Sequence, residues 1–233
     1  MSLNEFAVTR RWPPVQKNAI QLYSLPTPNG IKASAVLEES GLAYDAHLVK
    51  FDTQDQKTPE FLSLNPNGKI PAILDPDGPD GQPLGLWESG AILSYVANKA
   101  GVLLPDTEAQ RLEALQWVFF QVGGVGPMMG QFGHFFKFAD QSINHDYALA
   151  RYRDEVRRLL QVLEQQLTGQ DFIVGTDYSI ADLSIWPWIR TLHGFYAATE
   201  ALGLDDFPRV NDWLGRCQSR PASQAAVKIP AQN

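Results

Sequence analysis

The sequence predicts two domains, a small α/β unit with a mixed sheet followed by an all-helical one. Three observations carry that prediction. Strand-like and helix-like segments alternate from residue 20 to about residue 100. After Gly101 the strand signals stop. Between the two stretches lies Leu103-Leu104-Pro105-Asp106, which reads as a linker. The expected division is an extended arm over 1–19, an α/β domain over 20–102 and a helical domain over 107–225.

Taken in order, residues 1–19 contain Arg10, Arg11, Pro13 and Pro14 and lack the apolar core of a signal peptide. Ile20–Leu25 alternates like a half-buried strand. Pro26 and Pro28 stop it, and Asn29-Gly30 is a turn signal. Ile31, Ala35, Val36 and Leu37 then recur at helical spacing over Gly30–Ser40, and Gly41 is placed to end that helix. His47–Phe51 reads as a second strand and Thr53–Thr58 as a polar loop. Pro59-Glu60-Phe61-Leu62 starts a short helix, and Asn65-Pro66-Asn67-Gly68 is a strong turn. Lys69–Asp75 is a strand interrupted by Pro71, Pro76–Gly81 a hairpin loop, Leu84–Leu86 the returning strand and Glu88–Ala100 a helix. The order is βαβ, a crossover, then ββα.

In the second half, Thr107–Val122 is helical in pattern, with Leu112, Leu115, Phe119 and Phe120 on or near one face. Tyr147–Leu167 is a longer helix with Val156, Leu159, Leu160 and Leu163 facing inward. Ser179 caps a third helix, and Asp182 can bond back to the Ser179 N–H. Phe207–Arg216 is a fourth.

With 233 residues, 44% hydrophobic and 19% charged, the chain suits one or two globular domains with a real core. Its net charge of −7 argues against a general nucleic-acid surface. No apolar run approaches the roughly 20 residues that span a bilayer, so no membrane contact is expected. Cys217 is the single cysteine, which rules out an internal disulfide and a cysteine-based metal site. It lacks a CxxC partner and reads as inert, and this cysteine usage points to a reducing, cytoplasmic setting. The four histidines show no metal spacing, so no metal is expected, and no GxSxG elbow supports a serine hydrolase.

Three places carry chemistry. Thr27 and Asn29 lie where a strand gives way to a helix, and free backbone N–H groups with the positive end of the helix dipole stabilise an anion there. That turn has no cysteine, so a thiolate held in it must come from a ligand. Pro71 marks an edge strand or bulge, or else a cis Ile70–Pro71 bond that frees the Ile70 backbone to pair with an extended peptide. Glu88-Ser89 begins a helix directly after a strand. It is either a simple cap or a receiver for an α-amino acid, with Ser89 taking the carboxylate and Glu88 facing the ammonium. A thiol, a peptide and an α-amino-acid head group occur together in one small ligand, the tripeptide glutathione.

At this point the sequence resembles a known family. Ser-Leu-Pro-Thr-Pro-Asn-Gly at 24–30, Asn-Gly-Lys-Ile-Pro-Ala-Ile at 67–73 and Trp-Glu-Ser-Gly-Ala-Ile at 87–92 look like a glutathione transferase. Leu115–Phe119, Gly123–Met128 and Tyr178–Asp182 agree with it. The Thr-Pro-Asn-Gly turn is most similar to the bacterial nu class and to fungal nitrogen-regulator-like relatives. The resemblance implies a thioredoxin-like N-terminal domain, an all-α C-terminal domain and a homodimer. It also implies glutathione as co-substrate, reduced or as the disulfide, and a small-molecule disulfide or electrophile as partner. The implied activity is glutathione-dependent disulfide reduction with weak conjugation or peroxide reduction. On this reading the Thr27 hydroxyl and Asn29 amide donate to the glutathione sulfur. Asn67 and Lys69, beside Ile70, reach the peptide or its glycyl carboxylate. Arg151 reaches the neighbouring subunit's site or is a plain surface arginine, and Gln131 is a similar case. The alternative is a non-catalytic, glutathione-binding regulatory protein on the same scaffold. Of the remaining motifs, Gly123–Pro127 reads as a packing or helix-breaking device. The aromatic run Phe132, His134, Phe135, Phe136 and Phe138 reads as pocket wall or core, and Trp186-Pro187-Trp188 as a kinked, buried helix.

Overall fold

A computed structural model describes residues 3–140 and 142–231, with the backbone alone for Asn4. The chain divides into two compact units, Met1–Val102 together with Pro221–Asn233, and Leu103–Arg220.

The first unit is built on four strands, β1 (Ile20–Ser24), β2 (Tyr44–Leu48), β3 (Ala72–Asp75) and β4 (Leu84–Trp87), in the order β2-β1-β3-β4. β1 and β2 are parallel, while β1/β3 and β3/β4 are antiparallel. β1 and β3 are buried throughout, as central strands with both faces covered should be. This is the thioredoxin-like arrangement.

The helices of this unit are α1 (Val8–Arg11), α2 (Pro28–Ser40), α3 (Pro59–Leu64) and α4 (Ser89–Ala100), joined by α11 (Pro221–Ala226) from the far end of the chain. α2 opens with Pro28 at its first position, where a missing N–H costs nothing, and Thr27 caps it. Gly41 closes it at φ 67°, a left-handed position that glycine adopts freely. Gly30 has a different purpose. A side chain there would come within 1.9 Å of the Leu25 carbonyl oxygen, so only glycine lets α2 start this close to the end of β1.

Four expectations need correction. The segment before β1 is not an extended arm. It contains a 3-10 turn at Leu3–Glu5 and α1, and Leu3 and Val8 enter the same core cluster as Tyr23, Phe61 and Leu74. Trp12 donates its indole N–H to the Leu48 carbonyl (3.0 Å), and Asp45 accepts from the Val15 and Gln16 amides (2.8 and 2.7 Å). The helical domain does not run to residue 225. α11 packs on α2, and Ser34 donates its hydroxyl to the Ala226 carbonyl (3.1 Å). β2 spans 44–48 rather than 47–51, because the parallel register from Ile20↔Tyr44 to Ser24↔Leu48 uses the whole of β1. Phe51 is left on an exposed turn. β3 begins at Ala72, after Pro71, because proline has no N–H for the ladder.

The second unit is helical: α5 (Glu108–Phe120), α6 (Gly126–Gly133), α7 (Asp146–Gln166), α8 (Ile180–His193), α9 (Thr199–Leu202) and α10 (Pro208–Ser219). α5 passes into α6 through a π-helical turn, Gln121–Val125, and a second π turn, His134–Phe138, follows. The glycine-rich run is thus a widened helix with close packing. At Gly126 a side chain would lie 2.7 Å from the Gln121 amide nitrogen and 3.3 Å from the Trp188 indole nitrogen. The inward face expected of α5 is also corrected. Leu112 and Phe119 are exposed, and the helix buries Ala114, Trp117 and Val118 instead. In α7, Val156, Leu159, Leu160 and Leu163 face the core as expected. α8 is buried almost end to end, with Pro187 inside it. No helix among the described residues is long and apolar enough to cross a membrane.

Candidate functional site

The sheet register brings the candidate residues together. Tyr23 pairs with Ala72, and Ala72 pairs with Trp87. The end of β1, the start of β3 and the end of β4 therefore share one edge of the sheet. Thr27 and Asn29 lie just beyond the first, Ile70 and Pro71 just before the second, and Glu88 and Ser89 just after the third. Three segments separated by about 40 and 20 residues are brought to one rim by strand pairing alone.

Thr27 accepts from the Gly30 amide through its Oγ1 (3.3 Å), which leaves its own hydroxyl hydrogen to be donated elsewhere. Asn29 occupies the first turn of α2, and both residues are partly exposed. The Ile70–Pro71 bond is cis. Asn65, which the sequence reading passed over as a plain turn residue, organises the approach to it. It is buried, donates its side-chain amide to the Lys69 carbonyl (2.6 Å), and accepts from the Asn67 amide (3.0 Å). The Asn67 and Lys69 side chains are left facing solvent.

Glu88 is exposed and sits at φ 72°, ψ 115°. A non-glycine residue held there costs about 1–3 kcal/mol, and such strain collects at functional sites. It makes no side-chain cap to α4. Ser89, 6% exposed, receives a hydrogen bond from the Lys32 ammonium (3.3 Å). Lys32 is a residue the sequence reading missed. It is 1% exposed, on α2. Burial pushes its ammonium well below the usual lysine range, and the Glu88 carboxylate pulls it back up. The available signal was a lone lysine among Ile31, Ala33, Ala35 and Val36, which form a buried stretch.

Gln131 and Arg151 belong to the second unit. Gln131 is exposed on α6. Arg151 is exposed on α7 and lines an open pocket of about 460 Å³ with Tyr147, Ala150, Asp154, Glu155 and Arg158. Of the aromatic run, Phe132 is core, while His134 and Phe138 are exposed. Phe135 stacks on Tyr152 with ring centroids 5.7 Å apart. Cys217 is buried on α10, where burial first and the Asp182 charge second push its thiol well up, away from reactivity. No group of three metal-ligating side chains occurs among the described residues.

Residues 18–98 match the glutathione S-transferase N-terminal domain, and residues 146–216 its C-terminal domain. The chain belongs to the glutathione S-transferase family. Within that family it is 44% identical over 209 residues to the disulfide-bond oxidoreductase YfcG of Escherichia coli, covering 89% of this chain and 94% of that one. A glutathione transferase from Burkholderia graminis, solved with two glutathione molecules per subunit, superposes with a TM-score of 0.97 at 53% identity, covering 99% and 96% of the two chains. One from Pseudomonas putida, solved with one glutathione disulfide per subunit, gives 0.97 at 51% identity, covering 99% and 100%. These transferases are the company that the nu-class resemblance implied.

Proposed function

We propose that this glutathione transferase works mainly as a glutathione-dependent reductase of small disulfides, with weak conjugating or peroxidase activity beside it. The observation that carries this is the shared sheet edge. It gathers an anion-favouring helix start, a peptide edge and a paired Glu88-Ser89 while the chain's one cysteine is buried on α10. The reacting sulfur is then the ligand's. YfcG, a disulfide-bond oxidoreductase, and the Pseudomonas putida transferase that holds glutathione disulfide support the same reading.

On this reading, Ser89 and Glu88 take the γ-glutamyl head group and the Ile70–Pro71 edge takes the peptide. Asn67 and Lys69 stand by the glycyl end. Thr27 and Asn29 donate to the sulfur, and donors to a charged form lower its pKa. The glutathione proton leaves to solvent and the thiolate attacks one sulfur of the disulfide. One thiolate departs and a mixed disulfide remains. A second glutathione thiolate attacks the glutathionyl sulfur of that mixed disulfide, releasing the second substrate thiolate and glutathione disulfide. We assign a cytoplasmic setting, where glutathione is reduced. We also assign a homodimer in which Arg151, and Gln131 as a similar case, faces the partner's site. The exposed Leu112, Phe119 and Tyr147 offer apolar surface for a second copy to cover.

The deciding measurement is a coupled assay with hydroxyethyl disulfide and glutathione, set beside conjugation of a chlorinated nitrobenzene. Disulfide turnover well above conjugation is expected. A protein that binds glutathione and turns over neither substrate is the regulatory alternative.

A further inference from the structure

Lys32 is used by no step above, yet its position is costly. An ammonium taken from water into a protein interior is destabilising unless charges or acceptors meet it. Here it lies in the middle of the buried face of α2 and spends a hydrogen bond on Ser89 Oγ, 57 residues away. Glu88, whose carboxylate acts on it electrostatically, is the residue held at φ 72°. Lys32 therefore ties the body of α2 to Ser89, the first residue of α4, directly behind the strained Glu88.

The direction of the Lys32–Ser89 bond matters. An ammonium has three donors and no acceptor. The Ser89 oxygen must accept from it, and the Ser89 hydrogen is left to donate to something else. A hydroxyl held this way is a poor partner for an ammonium and a good one for a carboxylate. A donor behind the Ser89 oxygen polarises the hydroxyl hydrogen toward an anion in front.

We propose that Lys32 is the positioning residue of the head-group site. It fixes Ser89 as a donor and sets the start of α4 to receive the α-carboxylate of a γ-glutamyl group, while Glu88 takes the α-ammonium. This rests on the glutathione reading above. Lys32 itself touches no reacting atom, so it governs affinity for one end of the ligand and leaves the sulfur chemistry alone.

The test compares glutathione with cysteinylglycine, which keeps the thiol and the glycyl end and lacks the γ-glutamyl group. Binding of each is measured by calorimetry on the full chain and on Lys32→Met, which keeps length and removes charge. The expected result is a loss of about tenfold or more in glutathione affinity, with cysteinylglycine affinity unchanged. In turnover, KM for glutathione rises by the same factor and kcat stays within about twofold. Equal losses for both ligands, or no loss for either, overturn the proposal. If wild-type protein binds no glutathione, the function reading itself has failed, which is a separate outcome. Should Lys32→Met not fold, wild-type protein labelled at lysine Cε is titrated with each ligand, with Lys32→Arg used to assign the Lys32 signal. Glutathione is expected to move that signal and cysteinylglycine to leave it in place. Movement by both, or by neither, overturns the proposal.

Discussion

Three helix starts in this chain, one in the second unit and two in the first, end in different states. In the second unit, Ser179 caps α8 and Asp182 closes the box. Asp182 is fully buried, and each of its oxygens is engaged. Oδ1 accepts from the Ile173 amide and the Trp213 indole, both at 2.8 Å. Oδ2 accepts from the Ser179 amide (2.9 Å) and hydroxyl (3.2 Å). In the first unit, Thr27 caps α2 from a partly exposed position with its hydroxyl hydrogen unspent in the cap. Glu88 precedes α4 with no side-chain cap and a strained backbone. A cap residue alone does not separate scaffold from site. What separates them is whether the hydrogen-bonding capacity is consumed inside the chain or held out at an edge.

The comparison breaks most visibly at Asp182. Replacing it with alanine leaves four buried donors without an acceptor. Each unsatisfied buried group costs about 1–3 kcal/mol. Even with partial relaxation the loss should be about 3–5 kcal/mol, a large share of the roughly 5–15 kcal/mol that holds a domain together. Urea unfolding should show the midpoint collapse. Glutathione affinity per folded molecule should be unchanged in whatever survives. A loss below about 1 kcal/mol would mean that the cap at α8 is not the hub its geometry describes.

The edge should respond the other way. Thr27→Ala with Asn29→Ala removes one cap, worth about 1 kcal/mol, so the fold should persist. Disulfide reduction should suffer more. Without donors the bound sulfur returns toward an ordinary thiol pKa near 8.5. The thiolate fraction near neutral pH then falls, and the higher nucleophilicity of a more basic thiolate returns only part of the loss. Turnover should drop by roughly tenfold near pH 7, and the gap should narrow above about pH 8.5, where thiols ionise unaided. A double variant with the wild-type rate and pH profile would remove these two residues from the chemistry.

How far each region was legible follows from the same contrast. The capping box at Ser179 and Asp182 lies within four residues and could be read directly, as could the helical spacing of Val156, Leu159, Leu160 and Leu163. The three site segments were each legible as local turns. Their meeting depends on the pairing Tyr23↔Ala72↔Trp87, which no local pattern contains. Lys32 escaped for that reason, since its partner Ser89 is 57 residues away on the neighbouring α4. So did the β2 register: the pairing from Ile20↔Tyr44 to Ser24↔Leu48 is set by β1 and not by any pattern within His47–Phe51. Leu112 and Phe119 misled in the opposite sense. Apolar residues at helical spacing imply a covered face without saying that the chain itself covers it.

The smallest expected effect tests an acid that combines both conditions. Asp55 is buried like Asp182, but one of its partners comes from the surface, the half-exposed Arg11 of α1. Burial by itself would raise the Asp55 carboxyl. Hydrogen bonds from the Lys50 amide, Arg11 and Thr53, with the Arg11 charge, outweigh it and hold the carboxyl below the usual range. A carboxyl depressed in the folded state stabilises above its unfolded pKa, about 3.9, and that contribution is lost as pH falls through the lower folded value. Arg11→Met takes away the arginine's share only. Because the pair is open to solvent on one side, the cost at pH 7 should be under about 1 kcal/mol. Urea midpoints of wild type and variant should differ slightly at pH 7 and converge as pH drops below about 4, where Asp55 begins to protonate. A gap that stays constant into acid would mean that Arg11 acts through packing over Trp12, where its guanidinium lies 5.1 Å from the ring centre, rather than through Asp55.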